Sequence, residues 1–183
     1  MARLPYLEKS DLAEADRDIL NREINLYKIL AHSPNAARAF QGLGRFIRFE
    51  SKLNPRLREM AIMTVGYLTR SPYEYSHHIK IGRDFGVSDD DVRALIDEAE
   101  GRESTLEPLD KTVLKAAREM TRDGAVGEET FAALETELCR EHLLDLIITI
   151  AFYNGVVRVL ASTAMDVEDS YMPYLDQFPL PSD

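Results

Sequence analysis

Arg58-Glu59 and the run Ser71-Pro72-Tyr73-Glu74-Tyr75-Ser76-His77-His78 hold the side chains of this chain best suited to chemistry. Glu74 and His78 are four apart, so on a helix they share one face. His77 points about a quarter turn away. Glu59 falls on the preceding helical segment. A short connection at Thr69-Arg70 would fold that segment back and carry Glu59 towards the pair. Close carboxylates raise one pKa, and a neighbouring carboxylate raises that of histidine. Such a cluster can act as a general acid–base group near neutral pH.

Each of these residues also has an explanation without chemistry. Ser71-x-x-Glu74 fits a capping box, in which the glutamate reaches back to the serine N–H. A Glu–His pair at four-residue spacing is common on solvated helices. Glu59 lies in an early helical turn, where the helix dipole favours it. His77 reads as a surface or packing histidine, and His32 and His142 show no partner pattern. Two glutamates and one histidine are weak support for a metal, and no metal or cofactor is expected.

The elements that must position these residues are helices. Ser33-Pro34, Asn54-Pro55 and Ser71-Pro72 each place an N-cap residue before a proline at the first helical position. Ser88-Asp89-Asp90-Asp91 opens another helix with acidic residues in its first turn, and Asp110 can cap a further one. Apolar residues then recur at helical spacing: Leu57, Met60, Ala61, Thr64, Val65 and Leu68; Val92, Leu95, Ile96 and Ala99; Val113, Leu114, Ala117 and Met120; Phe131, Leu134 and Leu138. The segment from His142 to about Met165 is apolar on more than one face, as a central or subunit-shared helix would be. The N-terminal third reads as helices at about Leu12–Leu30 and Pro34–Glu50. Gly86 ends the helix that starts after Ser71. The tail after Asp166 reads as irregular, packing along a surface through its Tyr, Met, Leu and Phe residues. The expectation is one all-α domain over 1–183, a helical bundle of about seven helices.

Composition narrows the function. Hydrophobic residues make up 45% of the 183, enough for a sizeable core. A net charge of −10 argues against nucleic-acid binding and leaves any acid substrate dependent on local arginines. The longest apolar run, near Leu143–Ile150, is broken by Asp145 and reads as too short to span a bilayer. Met1-Ala-Arg-Leu-Pro lacks a signal peptide's apolar stretch, so a cytoplasmic location is expected. The single Cys139 excludes an intrachain disulfide and a dithiol centre within one subunit. It reads as a partly buried helix residue.

The run Leu53-Asn54-Pro55-Arg56-Leu57-Arg58-Glu59-Met60-Ala61-Ile62 resembles the first helix of the carboxymuconolactone decarboxylase family. Ser71 to His78 is similar to that family's Y-E-W-x-x-H element. Ile81 to Leu95 resembles the following A-x-x-x-G-V-S-x-x-E-I-x-A-L element. Leu146 to Ala161, with Phe152-Tyr153-Asn154 and Arg158, resembles its closing helix. The likeness runs from about Leu26 to Val167 and implies an alkylhydroperoxidase D-like fold with an N-terminal helical extension.

The resemblance also bears on chemistry. Family peroxidases carry Cys-x-x-Cys, a histidine four residues after the second cysteine and a glutamate twelve before the first. Here Ser71 and Glu74 stand at the cysteine positions, His78 at the histidine and Glu59 at the glutamate. Peroxide reduction needs a thiolate and a resolving thiol, so an antioxidant peroxidase activity is disfavoured. The decarboxylase branch implies cofactor-independent acid–base chemistry, a decarboxylation or isomerisation, on a small organic acid or lactone. His78 would be the acid–base group, with Glu74 or Glu59 orienting it or sharing its proton. Arg58 or Arg70 would hold a substrate carboxylate, and Tyr73 and Ser71 would line the substrate site. The resemblance further implies self-association as a trimer or hexamer. A non-catalytic oligomeric binding or scaffold protein is the third alternative.

Overall fold

A computed structural model describes residues 1–181. Among them every regular element is helical. Two 3-10 segments, Lys9–Asp11 and Glu14–Leu20, precede α1 (Asn25–Leu30) and α2 (Pro34–Arg45), which runs on into a π turn at Phe46–Glu50. Then come α3 (Pro55–Leu68), α4 (Pro72–Asp84), α5 (Asp89–Ala99), α6 (Pro108–Arg122), α7 (Glu128–Glu137) and α8 (Arg140–Thr163). A 3-10 turn at Asp169–Tyr171 leads into α9 (Met172–Gln177). The all-α expectation holds, with nine α-helices among the described residues rather than about seven.

Most starts fall where the caps place them. Asn54 Oδ1 accepts from the N–H groups of Arg56 and Leu57. Ser88 and Asp91 form a reciprocal capping box. Asp110 caps nothing: α6 begins at Pro108, and Asp110 in its first turn instead meets Arg56, which also binds Asp91. Arg56 thereby ties the starts of α3, α5 and α6 together. The expected helix at Leu12–Leu30 is broken into a 3-10 segment and α1, with Ile19 and Leu20 tucked into a small N-terminal core. The tail beyond Asp166 is partly helical rather than irregular, and it packs on α4 as expected. Cys139 is exposed at the N-cap of α8, not partly buried within a helix.

The central element is α3. Every residue from Leu57 to Tyr67 is buried, and α3 packs against α4, α5, α6 and α8. Its buried Arg58, Glu59 and Gly66 disguise this in the sequence, where only one apolar stripe is visible. One core lies between α3, α6 and α8, around Ala61, Val65, Val113, Leu146 and Ile150. A second lies between α3, α4 and α5, around Met60, Met63, Tyr75, Ile79 and Leu95. At 24 residues, α8 does have the length and apolarity of a membrane span. Half of its most apolar stretch is buried inside the bundle, as in the core helix of a globular domain.

The turn between α3 and α4 sets the site. Arg70 takes the left-handed conformation, φ 50°. Its N–H bonds to the Tyr67 carbonyl and that of Ser71 to the Gly66 carbonyl. This closed pair of bonds is a Schellman motif, usually built on glycine. It reverses the chain within a few residues and lays α4 against α3. The two helices touch at Gly66, where an added Cβ would lie 3.0 Å from Tyr75 N and 3.1 Å from its Cα.

Gly66→Ala tests that contact. Alanine gains up to ~1 kcal/mol of helix propensity, but overpacking against backbone that cannot rotate away costs about 1–3 kcal/mol. The expected net loss is about 1 kcal/mol, or roughly 2–4 °C in Tm for a chain of this size. A thermal melt with unchanged or raised Tm would show that the helices absorb the methyl.

Candidate active site

Glu59 enters from α3 and is 1% exposed. A carboxylate so deep needs charge partners, and two are supplied. Arg58 lays Nε and Nη2 on Glu59 Oε1 at 3.0 and 2.8 Å. His78 Nδ1, from α4, meets Glu59 Oε2 at 2.7 Å. Arg58 is itself completed by the π turn that ends α2. Its Nη1 donates to the Arg48 carbonyl at 3.1 Å and to that of Ile47 at 3.4 Å. Its guanidinium lies 4.5 Å from the Phe85 ring centre. The sequence expectation for Arg58 is therefore corrected. It is 1% exposed, engaged by Glu59 and the two carbonyls, and does not line the cavity.

Glu74 approaches the other side of the imidazole. Its Oε1 lies 2.9 Å from His78 Nε2, one helical turn away. The contact is an ion pair rather than an aligned hydrogen bond, because the N–H misses the oxygen's direction. The capping-box explanation fails here. The Ser71 side chain makes no cap bond, and its N–H is taken by Gly66. Glu74 is thus turned towards His78 and away from the helix start.

The charges shift one another. Burial opposes a charged His78, but Glu74 and Glu59 outweigh it and raise His78 to about 9. Burial likewise opposes a charged Glu59, and the nearby His78 and Arg58 cations more than offset it, so Glu59 is held below the usual carboxylate range. Burial, then Glu74 and Glu59, push the Tyr153 phenol well up. The raised His78 and the lowered Glu59 both favour an imidazolium against an ionised Glu59, with Arg58 on the same carboxylate.

His78 and Glu74 face a cavity of about 570 Å³, counting its open mouth, while Glu59 lies behind them. Its walls come from α1, α2, α4 and α8, including Tyr27, Phe40, Tyr73, Phe152 and Tyr153. The Tyr153 ring meets His78 edge-on at 4.9 Å. Tyr73 lines the cavity as expected, but its hydroxyl is engaged: it accepts from Leu26 N–H at 3.1 Å and donates to Glu168 at 3.2 Å. Arg70 and Ser71 are corrected. They border a separate depression with Val157 and Leu160 on the far side of the turn.

Arg22, Arg48, Tyr153 and Glu168 escaped the sequence reading. Tyr153 sits in the Phe152-Tyr153-Asn154 run, which carried a signal only as part of the family likeness. The other three have no motif. His77 is neither exposed nor idle. It is stacked between Tyr73 at 4.0 Å and Tyr171 at 3.5 Å, with Nε2 3.2 Å from Glu168. The C-terminal segment is fastened to α4 by this stack. Among the described residues no group of three or more His, Cys, Asp or Glu side chains is arranged to hold a metal ion. The two nitrogens of His78 face opposite carboxylates and cannot meet on one ion.

The helical bundle is similar to that of alkylhydroperoxidase D-like proteins. A peroxidase-related protein from Ralstonia eutropha JMP134, with an alkylhydroperoxidase AhpD core, shares it at TM-score 0.78 and 21% identity over 98% of both chains. A peroxidase-related protein from Silicibacter sp. TM1040 does so at TM-score 0.73 and 21% identity over 93% of both. The debrominase Bmp8, as a variant bound to 2,3,4-tribromopyrrole, does so at TM-score 0.79 and 19% identity over 94% of this chain and 95% of its own. No curated protein sequence matches the chain. Residues 34–104 match the carboxymuconolactone decarboxylase family model. The matched segment runs from α2 past α5 and includes Glu59, Glu74 and His78. The likeness read in the closing helix lies outside that match.

The raised His78 pKa has a consequence for stability. A group whose folded pKa exceeds its unfolded value stabilises fully below the unfolded value. For His78 that is below about pH 6.5, and the contribution disappears as pH rises through about 9. Tm is expected to fall across that interval in the wild type and to fall less in His78→Gln. Identical profiles would show that His78 is not charged in the fold.

Proposed function

We propose that the protein is an acid–base enzyme of lyase or isomerase type that acts without a cofactor on a small organic acid or lactone. The observation that carries this reading is the His78 ring, held between Glu59 and Glu74 on the wall of an aromatic cavity. A histidine raised to about 9 enters the reaction as an acid. Glu59 fixes the ring through Nδ1 and leaves Nε2, the cavity side, as the donor. Glu74 sits where it can return a proton to Nε2 after each turnover.

For a lactone bearing a carboxylate and an unsaturated carbonyl, the step balances without a redox partner. The C–C bond to the carboxylate breaks and carbon dioxide leaves. The electron pair passes into the carbonyl as an enolate, and His78 Nε2 gives its proton to carbon. A proton from solvent, through Glu74, restores the imidazolium. The apolar walls favour this step, because a poorly solvated carboxylate loses carbon dioxide more readily.

Thiol-dependent peroxide reduction is the weaker reading. The similar peroxidase-related structures support the fold, but Cys139 is exposed at the start of α8 and does not line the cavity. Self-association as a trimer or hexamer belongs to the proposal and is supported by exposed Leu43, Phe49 and Leu144. A cytoplasmic location belongs to it as well.

The test is turnover of γ-carboxymuconolactone, followed by loss of its ultraviolet absorbance and by solvent deuterium entering the product. His78→Gln and Glu74→Gln are each expected to lower kcat by about 10²–10⁴-fold. Turnover that survives both substitutions would place the chemistry elsewhere, and its absence in the wild type would favour a binding or scaffold protein.

A further inference from the structure

Two cations at the cavity mouth are not used by the acid–base centre. Arg22 and Arg48 both line the cavity and are partly buried. In a chain of net charge −10, arginines find carboxylates readily. Arg38, Arg56, Arg83 and Arg102 all do so. The guanidinium groups of Arg22 and Arg48 pair with no carboxylate among the described residues. The site's own acids are already held, Glu59 by Arg58 and Glu74 by His78. Two partly buried arginines that line one cavity without a carboxylate partner can receive an anion, and their planar forks suit a carboxylate; the Arg48 guanidinium otherwise lies against the Phe49 ring, 5.7 Å from its centre.

The wall between mouth and floor is aromatic. Phe40 and Phe152 are 4.7 Å apart between ring centres, tilted at 53°. Phe152 and Tyr153 meet edge-on at 5.4 Å, and Tyr153 meets His78 edge-on at 4.9 Å. The rings run in contact from Phe40 through Phe152 and Tyr153 to His78. Such a surface favours a flat π-system, which can stack or meet edges at the angles aromatic rings prefer.

We propose that the cavity binds a planar aromatic carboxylate, with the carboxylate between Arg22 and Arg48 and the ring along Phe40, Phe152 and Tyr153, its far edge towards His78. The assignment rests on the acid–base reading only for what happens at that edge; the binding stands by itself. It moves the anion-holding role from Arg58 and Arg70 to two arginines on other elements.

Benzoate is the probe, titrated into the full chain and followed by calorimetry and by the aromatic NMR signals. Saturable binding is expected, weakened about tenfold by Arg48→Gln and by Arg22→Gln. Benzamide, with the ring but no charge, and cyclohexanecarboxylate, with the charge but no flat ring, are each expected to bind at least about fivefold more weakly than benzoate. Absence of saturable benzoate binding overturns the proposal. So does benzamide binding equally well, which would leave the arginines idle, or cyclohexanecarboxylate binding equally well, which would leave the flat wall idle. Benzoate affinity unchanged in both arginine variants also overturns it. If either variant melts below the assay temperature, the three-ligand series decides alone. His78→Gln separates this proposal from the reaction. It is expected to bind benzoate within about threefold of wild type while losing turnover. Benzoate binding with turnover intact in that variant sinks the acid–base reading alone, and failure of benzoate to bind a wild type that does turn over sinks this one alone.

Discussion

A carboxylate 1% exposed in the middle of a helical bundle constrains everything around it. Glu59 stays ionised only because two cations reach it from different directions. Arg58 does so from the same helix, and its remaining donors need the open carbonyls at the end of α2. His78 does so from α4, and only if the chain reverses tightly at Arg70. Holding His78 charged in turn needs Glu74, because burial alone would strip its proton. The packing of α2, α3 and α4 and the charge of the site are one requirement seen from two sides.

That requirement explains which parts were legible in the sequence. Helix starts at Pro34, Pro55, Pro72 and Asp89 follow local chemistry, so caps and prolines locate them. Glu74 and His78 share a face by spacing, and the turn at Thr69-Arg70 made Glu59 a fair third member. Arg58 was misjudged because its type says anion binder, whereas its burial, invisible in one sequence, makes it a counter-ion. Arg22 reaches the cavity through the path of an N-terminal segment whose expected single helix is broken in two, and Arg48 through the π turn that ends α2. No periodicity announces such a break, since Ile19 and Leu20 are satisfied equally well by a 3-10 turn packed in a small core. Ser71 and Glu74 carried the same capping signature as many helix starts, and only the direction of the Glu74 side chain separates the two explanations.

The family segment and the similar structures fit this division. A fold shared at about 20% identity with peroxidase-related proteins and a debrominase is a scaffold, and scaffolds host several chemistries. On that scaffold this chain places a glutamate–histidine pair across α3 and α4. At the positions that the family resemblance assigns to cysteines, this chain has Ser71, which borders the separate depression, and Glu74, which lines the cavity.

Gly66 carries no chemical group, yet it governs how closely the two halves of the site can approach. Its freedom to vary is narrower than that of many charged residues around it, since even one methyl meets backbone. A redesign that introduces new acids or bases into this cavity can alter the mouth and walls freely. The distance between α3 and α4 remains fixed by an absent side chain, so substitutions that respect Gly66 explore new reactions, while those that ignore it explore only new ways to lose the old one.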